Sequence, residues 1–208
     1  MATYREMTSG AALPIIFAFT LPLLLGNLLQ QTYSMIDAAI VGQYLGINAL
    51  ASVGASTSVI FLIIGFCNGC CCGFAIPVAQ KFGARDYVTM RRLVNVSLRL
   101  AMLMSVLIAA ITSYFCYDIL HLMQTPENIF HDAYLYLLVT FIGIPCTFYY
   151  NLLSGIIRAL GDSKTPFYFL LFSTVLNIIL DLFCILVLGW GVLGAGVATV
   201  VSQGISAV

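Results

Sequence analysis

The sequence predicts an all-α polytopic membrane bundle of six transmembrane helices, and three observations lead to it. Of the 208 residues, 62% are hydrophobic and only 8% charged, too little polar material to cover a soluble domain of this size. Six apolar segments approach or exceed the roughly 20 residues that a helix needs to cross a hydrocarbon core of about 30 Å. The alternation over about ten residues that marks a membrane β-strand is absent.

The first span, residues 13–44, follows "MATYREMTSG". It is too long for a cleaved signal and lacks the small-residue exit of one. Turn chemistry separates it from the second span, 49–80, through "VGQYLGIN". The basic connection "KFGARDYVTMR" leads to the third span, 92–116, and "YDILHLMQTPENIFHD" to the fourth, 134–158. The fifth, 166–188, follows "ALGDSKTP", and the sixth, 192–208, follows "GWG". That last segment reaches Val208 with no polar flank or basic anchor, so the chain is expected to stop inside a helix, as a truncated product would. Pro22 and Pro145 fall within the first and fourth spans, where each removes a backbone hydrogen bond and permits a kink. Pro22 is the candidate hinge.

Charge sets the orientation. The net charge is zero and the isoelectric point about 6.7, with no basic patch to neutralise phosphates, so no nucleic-acid partner is expected. All eight Lys and Arg residues fall on one side: Arg5 before span one, Lys81, Arg85, Arg91, Arg92 and Arg99 between spans two and three, and Arg158 and Lys164 between spans four and five. Short cytoplasmic loops collect such residues, which makes the N-terminus cytoplasmic. The chain is expected to be a multi-pass membrane protein.

Of eight acidic residues, six belong to the ends and loops, and two remain inside spans, Asp37 and Asp181. An ionised side chain at membrane depth is costly and is seldom kept without a role. Asp37 lies near the outer end of span one and Asp181 in the outer half of span five, so the two can share a depth. Asn177 stacks one turn from Asp181 on the same helix face. Counting equally in both directions from the turn at Trp190 reaches Asp181 and Thr199, each roughly 13 Å below it. Ala195, a turn nearer the outside in "GAG", offers an approachable carbonyl. Two carboxylates, an amide, a hydroxyl and a carbonyl form an all-oxygen set suited to a hard cation or a shared proton. The competing explanation is structural pairing within the bundle.

Four of the seven cysteines sit in "GFCNGCCCG". No histidine is near them, so the stretch is read through Gly65, Gly69 and Gly73, whose spacing of four suits close helix approach. His121 and His131 flank the outer loop between spans three and four. The polar run from Gln30 through Tyr33 and Ser34 to Asp37, with "TFYYNLLS" around Tyr149 and Asn151, would line a cavity if those faces turn inward. Amides and aromatics with few fixed charges suit amphiphilic or cationic organic compounds. No nucleophile set or HExxH pattern points to an enzyme, and no repeated pore loop points to a channel.

Several stretches resemble the multidrug and toxic compound extrusion (MATE) transporters. "LPLLLGNLLQQTYSMIDAAIVGQYLGINALASVGAS" is similar to the family's first span and following loop, "VAQKFGARD" to the end of its second, and "IIRALGDSKTP" to its loop between spans four and five. "NIILD" followed by "GAGVAT" resembles the prokaryotic DinF-like and NorM-like branch. The resemblance implies an N-lobe cation site at Asp37, Asn177, Asp181 and Thr199, and substrate-pocket residues at Gln30, Tyr136 and Asn151. It also implies antiport of organic compounds against H⁺ or Na⁺, with no other cofactor and no metal beyond Na⁺. Family members have twelve spans in two lobes, so this chain corresponds to the N-terminal lobe, and a C-terminal lobe and the lipid bilayer become its partners. A lipid-linked oligosaccharide flippase of the same superfamily is the alternative, for which a more cationic cavity is expected.

Overall fold

The computed structural model describes residues 12–207, and Arg5 and Glu6 lie outside the described residues. The fold is all-α. Helix α1 covers Ala12–Leu45, α2 Ile47–Gly83, α3 Tyr87–Tyr114, α4 Cys116–Leu122, α5 Glu127–Ile142, α6 Ile144–Ala159, α7 Lys164–Leu182 and α8 Gly191–Ser206, with a π-helical turn at Phe183–Val187 between the last two. Helices α2 and α3, and α7 taken through the π turn, are each long and apolar enough to cross a membrane. Their outer faces present Phe61, Leu62, Leu103 and Phe172, as a lipid-facing surface requires.

The fourth expected span is broken. Helices α5 and α6 meet at Gly143 with a bend of 48°, and α5 begins at Glu127, earlier than its apolar residues alone suggest. Pro145, expected to permit a kink, lies just past this bend, which interrupts the helix instead of only curving it. It sits in the first turn of α6, where its missing N–H would have had no intrahelical partner. The connection before α5 holds the short helix α4, which charge and polarity had masked. Pro22 lies inside continuous α1, and Pro77 inside α2.

Two apolar clusters organise the packing. Cys67, Cys71, Ala101, Leu137, Phe141, Phe148 and Leu152 join α2, α3, α5 and α6. Ile40, Val41, Val53, Ile185, Val192 and Ala195 join α1, α2, the π turn and α8. Helix α3 turns Ser97, Ala101, Ser105 and Ala109 inward at every fourth position, the small-residue stripe that lets membrane helices approach. Gly65, Gly69 and Gly73 do not play that part. A Cβ at any of them would meet nothing within 4 Å, so their face of α2 is open in this chain. Buried hydroxyls are satisfied locally, as where Ser56 donates to the Ser52 carbonyl (2.8 Å), or across helices, as where Ser52 reaches the Ile129 carbonyl (3.2 Å).

Loops carry their own caps. Asp86 accepts from the Thr89 amide (3.1 Å) at the start of α3, and Asp162 accepts from the Lys164 and Thr165 amides (3.0 Å each) at the start of α7. Partial burial works to raise the Asp162 carboxyl, but hydrogen bonds from Thr165 and Lys164 outweigh it and hold the group below the ordinary aspartate range. The turn into α8 needs left-handed backbone at Gly189 (φ 66°) and Gly191 (φ 59°).

Two stability predictions arise here. A side chain at Gly143 would overlap the methyl groups of Val200 on α8, so Gly143→Ala should lower the unfolding temperature in detergent, by a cost on the order of 1–3 kcal/mol. Adding Val200→Ala should recover part of it, a coupling that a double-mutant cycle measures. For Asp162, a carboxyl held low when folded contributes stability above its unfolded pKa and loses it as pH falls through the folded value. Asp162→Asn should therefore lower the unfolding temperature at neutral pH, and the gap to wild type should close on strong acidification.

Candidate functional site

The site is built where α1, α7 and α8 converge against α5. Asp37 projects from the C-terminal part of α1 and Asp181 from the last turn of α7, both buried, Asp181 completely. Their carboxyl groups lie within hydrogen-bond reach of each other. Asn177, one turn earlier on α7, is also buried. Its neighbours orient the amide: the nitrogen donates to Asp181 Oδ2 (2.8 Å), and the oxygen accepts from the Thr199 amide (3.1 Å) and hydroxyl (3.3 Å). Thr199 Oγ1 lies 3.1 Å from the Ala195 carbonyl and 3.0 Å from the Tyr33 hydroxyl. Asp37, Asn177, Asp181, Thr199 and Ala195 thus occupy one connected polar cluster, with Tyr33 as a further member.

Helix periodicity explains the cluster. Tyr33 and Asp37 are one turn apart on α1, as are Asn177 and Asp181 on α7 and Ala195 and Thr199 on α8. Tyr136 of α5 stands within electrostatic reach of both acids. Gly196 leaves room for its ring, since a Cβ there would lie 3.4 Å from Tyr136 Cδ2. Asp37 Oδ1 and Asp181 Oδ1 are buried without a hydrogen-bond partner. Two such orphaned oxygens in a buried cluster leave acceptor capacity for a proton or a cation.

Below the cluster are two adjoining cavities. The smaller, about 90 Å³, touches Tyr33, Asn177, Ser202 and Gln203, and Thr147 closes part of it by donating to Gln203 (2.6 Å). The larger, about 280 Å³, opens toward the α6–α7 loop and is walled by Pro22, Asn27, Gln30 and Arg158, among others. Gln30, Asn68, Tyr150 and Asn151 line both. Tyr136 is not a wall residue of either cavity but flanks the acids instead. Gln31, Thr32 and Ser34 turn outward and are exposed, because a helical turn spreads consecutive polar residues over all faces. Tyr150 rather than Tyr149 reaches the cavities.

Sequence reasoning missed Asn27, Asn68, Gln203 and Arg158. Asn27 stands three residues before Gln30 on one face of α1, a signal available in the spacing. Asn68 was hidden among the cysteines and glycines of α2. The seven cysteines are free thiols, and among the described residues no group of three or more His, Cys, Asp or Glu side chains could hold a metal ion.

Comparison with known proteins agrees with this architecture. The MatE family model matches residues 22–183. The probable multidrug resistance protein YoeA of Bacillus subtilis is 38% identical over 190 residues, covering 88% of this chain and 41% of that protein. YpnP of the same organism, also named a probable multidrug resistance protein, is 34% identical over 201 residues, covering 97% of this chain and 45% of its own length. A multidrug resistance MATE family transporter of the MOP superfamily, solved in an outward-facing conformation, superposes with a TM-score of 0.87 at 27% identity, over 93% of this chain and 43% of that one. This chain spans less than half the length of each. The match to the family model over most of the chain, together with these relatives, makes it a member of the MatE family, the multidrug and toxic compound extrusion transporters.

Proposed function

We propose that the chain forms the N-terminal lobe of a secondary antiporter, which exports organic, often cationic or amphiphilic, compounds in exchange for H⁺ or Na⁺. The observation that carries this reading is the contact between the Asp37 and Asp181 carboxyl groups inside a protein-lined polar cluster. Two ionised carboxylates have no hydrogen to share, so a hydrogen bond between them needs a proton. Removing that proton leaves two adjacent negative charges, which attract Na⁺ or an organic cation. The three species therefore compete for one charge balance, and that competition couples them. Thr199 and the Ala195 carbonyl supply further oxygen ligands for Na⁺, and Asn177 another once its amide turns its oxygen toward the acids.

Substrate would enter the larger cavity, where Gln30 and Asn151 offer amides and Tyr33 lies just beyond. Occupation of the acid pair by H⁺ or Na⁺ would remove the attraction for a cationic substrate and release it. Rocking of this lobe against a C-terminal lobe, with Pro22 as the hinge in α1, would expose the site alternately to each side. In this reading the N-terminus is cytoplasmic, the membrane is a bacterial or archaeal inner membrane, and no chemical conversion takes place. A lipid-linked oligosaccharide flippase remains the alternative. Arg158 is the one cation among the lining residues of the larger cavity, fewer than a pyrophosphate carrier would need.

The test uses the full-length gene in a drug-sensitive host. Asp37→Asn and Asp181→Asn should each reduce ethidium or fluoroquinolone efflux to the level of the empty host at equal expression. Normal export by both would reject the coupling role. Accumulation of a lipid-linked sugar precursor on deletion, without drug sensitivity, would support the flippase.

A further inference from the structure

Arg158 is an anomaly in the larger cavity. Its Nε donates to the Ser154 carbonyl of its own helix (3.0 Å). Among the described residues no carboxylate pairs with it, and no aspartate or glutamate is present in the cavity wall. The rest of the polar wall is neutral, including Asn27, Gln30, Asn68, Tyr150, Asn151, Ser154 and Ser163. A guanidinium presents five N–H donors in a planar fork. Here one is spent on the helix backbone, and the Nη groups are left for a ligand.

That geometry selects by chemistry. A planar fork binds the two oxygens of a carboxylate or phosphate in parallel, with stronger hydrogen bonds than neutral donors make. An organic cation gains nothing at this end. At the other end, the smaller cavity shares Gln30, Asn68, Tyr150 and Asn151 with the larger one and reaches Asn177, the partner of Asp181. The polar lining is therefore continuous from a positive terminus at Arg158 to Asn177, behind which lies the buried Asp37–Asp181 pair.

We propose that Arg158 is a docking residue for the carboxylate of zwitterionic organic substrates, held at the α6–α7 end of the larger cavity with the cationic part directed toward the acid pair. This deepens the export reading and rests on it. It makes the Arg158 end recognise the anionic part of a molecule whose cationic part points toward the acid pair beyond Asn177, so that purely cationic substrates do not use Arg158. The phosphate of a lipid headgroup has the same chemistry as the carboxylate, and the experiment must separate the two.

The measurement is ligand binding to the purified full-length protein in phosphatidylcholine nanodiscs, with a zwitterionic fluoroquinolone, its carboxyl methyl ester and ethidium as probes. Arg158→Gln should weaken the fluoroquinolone about tenfold and leave the ester and ethidium unchanged, while Arg158→Lys should recover part of the loss. Equal weakening of all three probes would mean that Arg158 only supports the fold, and no weakening of any would mean that it meets no ligand. Either result overturns the proposal and leaves export intact. In nanodiscs containing anionic lipid, loss of lipid-dependent thermal stabilisation in Arg158→Gln, with fluoroquinolone affinity unchanged, would assign the site to a headgroup and overturn the proposal too. Wild-type protein that binds none of the three probes would overturn the export reading and this one with it.

Discussion

Burying two acidic side chains against each other constrains everything else in this lobe. One carboxylate at membrane depth is already expensive, and two within hydrogen-bond reach cannot both be charged without a counter-ion. The surrounding groups answer that demand. Asn177 donates to Asp181, Thr199 links the amide to Tyr33, and α5 brings Tyr136 alongside. One buried oxygen on each acid has no hydrogen-bond partner, which leaves acceptor capacity for the proton or cation of the proposed exchange.

Packing holds the cluster in place. The apolar residues Ile40, Val41, Ile185, Val192 and Ala195 surround it from α1, the π turn and α8. The π turn begins two residues after Asp181, and such turns widen a helix at the cost of its regular hydrogen bonding. It carries the chain into the glycine-rich turn at Gly189 and Gly191, which sets α8 antiparallel to α7. The second apolar cluster, built on α2, α3, α5 and α6, supports the cavity wall from behind. In the proposed mechanism, recognition and coupling sit on opposite ends of one polar track, each braced by its own core.

The acid cluster was legible because helix periodicity is strict. Residues equidistant from a tight turn share a depth, which is why counting from Trp190 joined Asp181 to Thr199, and a spacing of four joined Asn177 to Asp181. Depth says nothing about facing, and there the sequence ran out. The run after Gln30 has polar residues on every side of α1, of which Tyr33 turns to Thr199 on α8 and Asp37 to Asp181 on α7. Gly65, Gly69 and Gly73 have the spacing of a packing face, yet the small stripe that packs is Ser97, Ala101, Ser105 and Ala109. Spacing identifies a face able to pack without naming its neighbour. The break at Gly143 has a local trace in Pro145, which cannot continue the helix from α5, whereas the close approach of Val200 to Gly143 from a helix far along the chain leaves no trace in a local reading. Arg158 looked like a boundary anchor because its sequence neighbours are a loop, while tertiary folding turns it to the cavity.

The central claim is that Asp37 and Asp181 share a proton as one unit. Infrared difference spectroscopy of the full-length protein, between acidic and alkaline pH, reads the carbonyl stretch of protonated carboxylic acids directly. One hydrogen-bonded acid band should disappear on deprotonation, and both Asp37→Asn and Asp181→Asn should alter that same band. A band that survives either substitution unchanged, or two bands that titrate independently, would contradict the account.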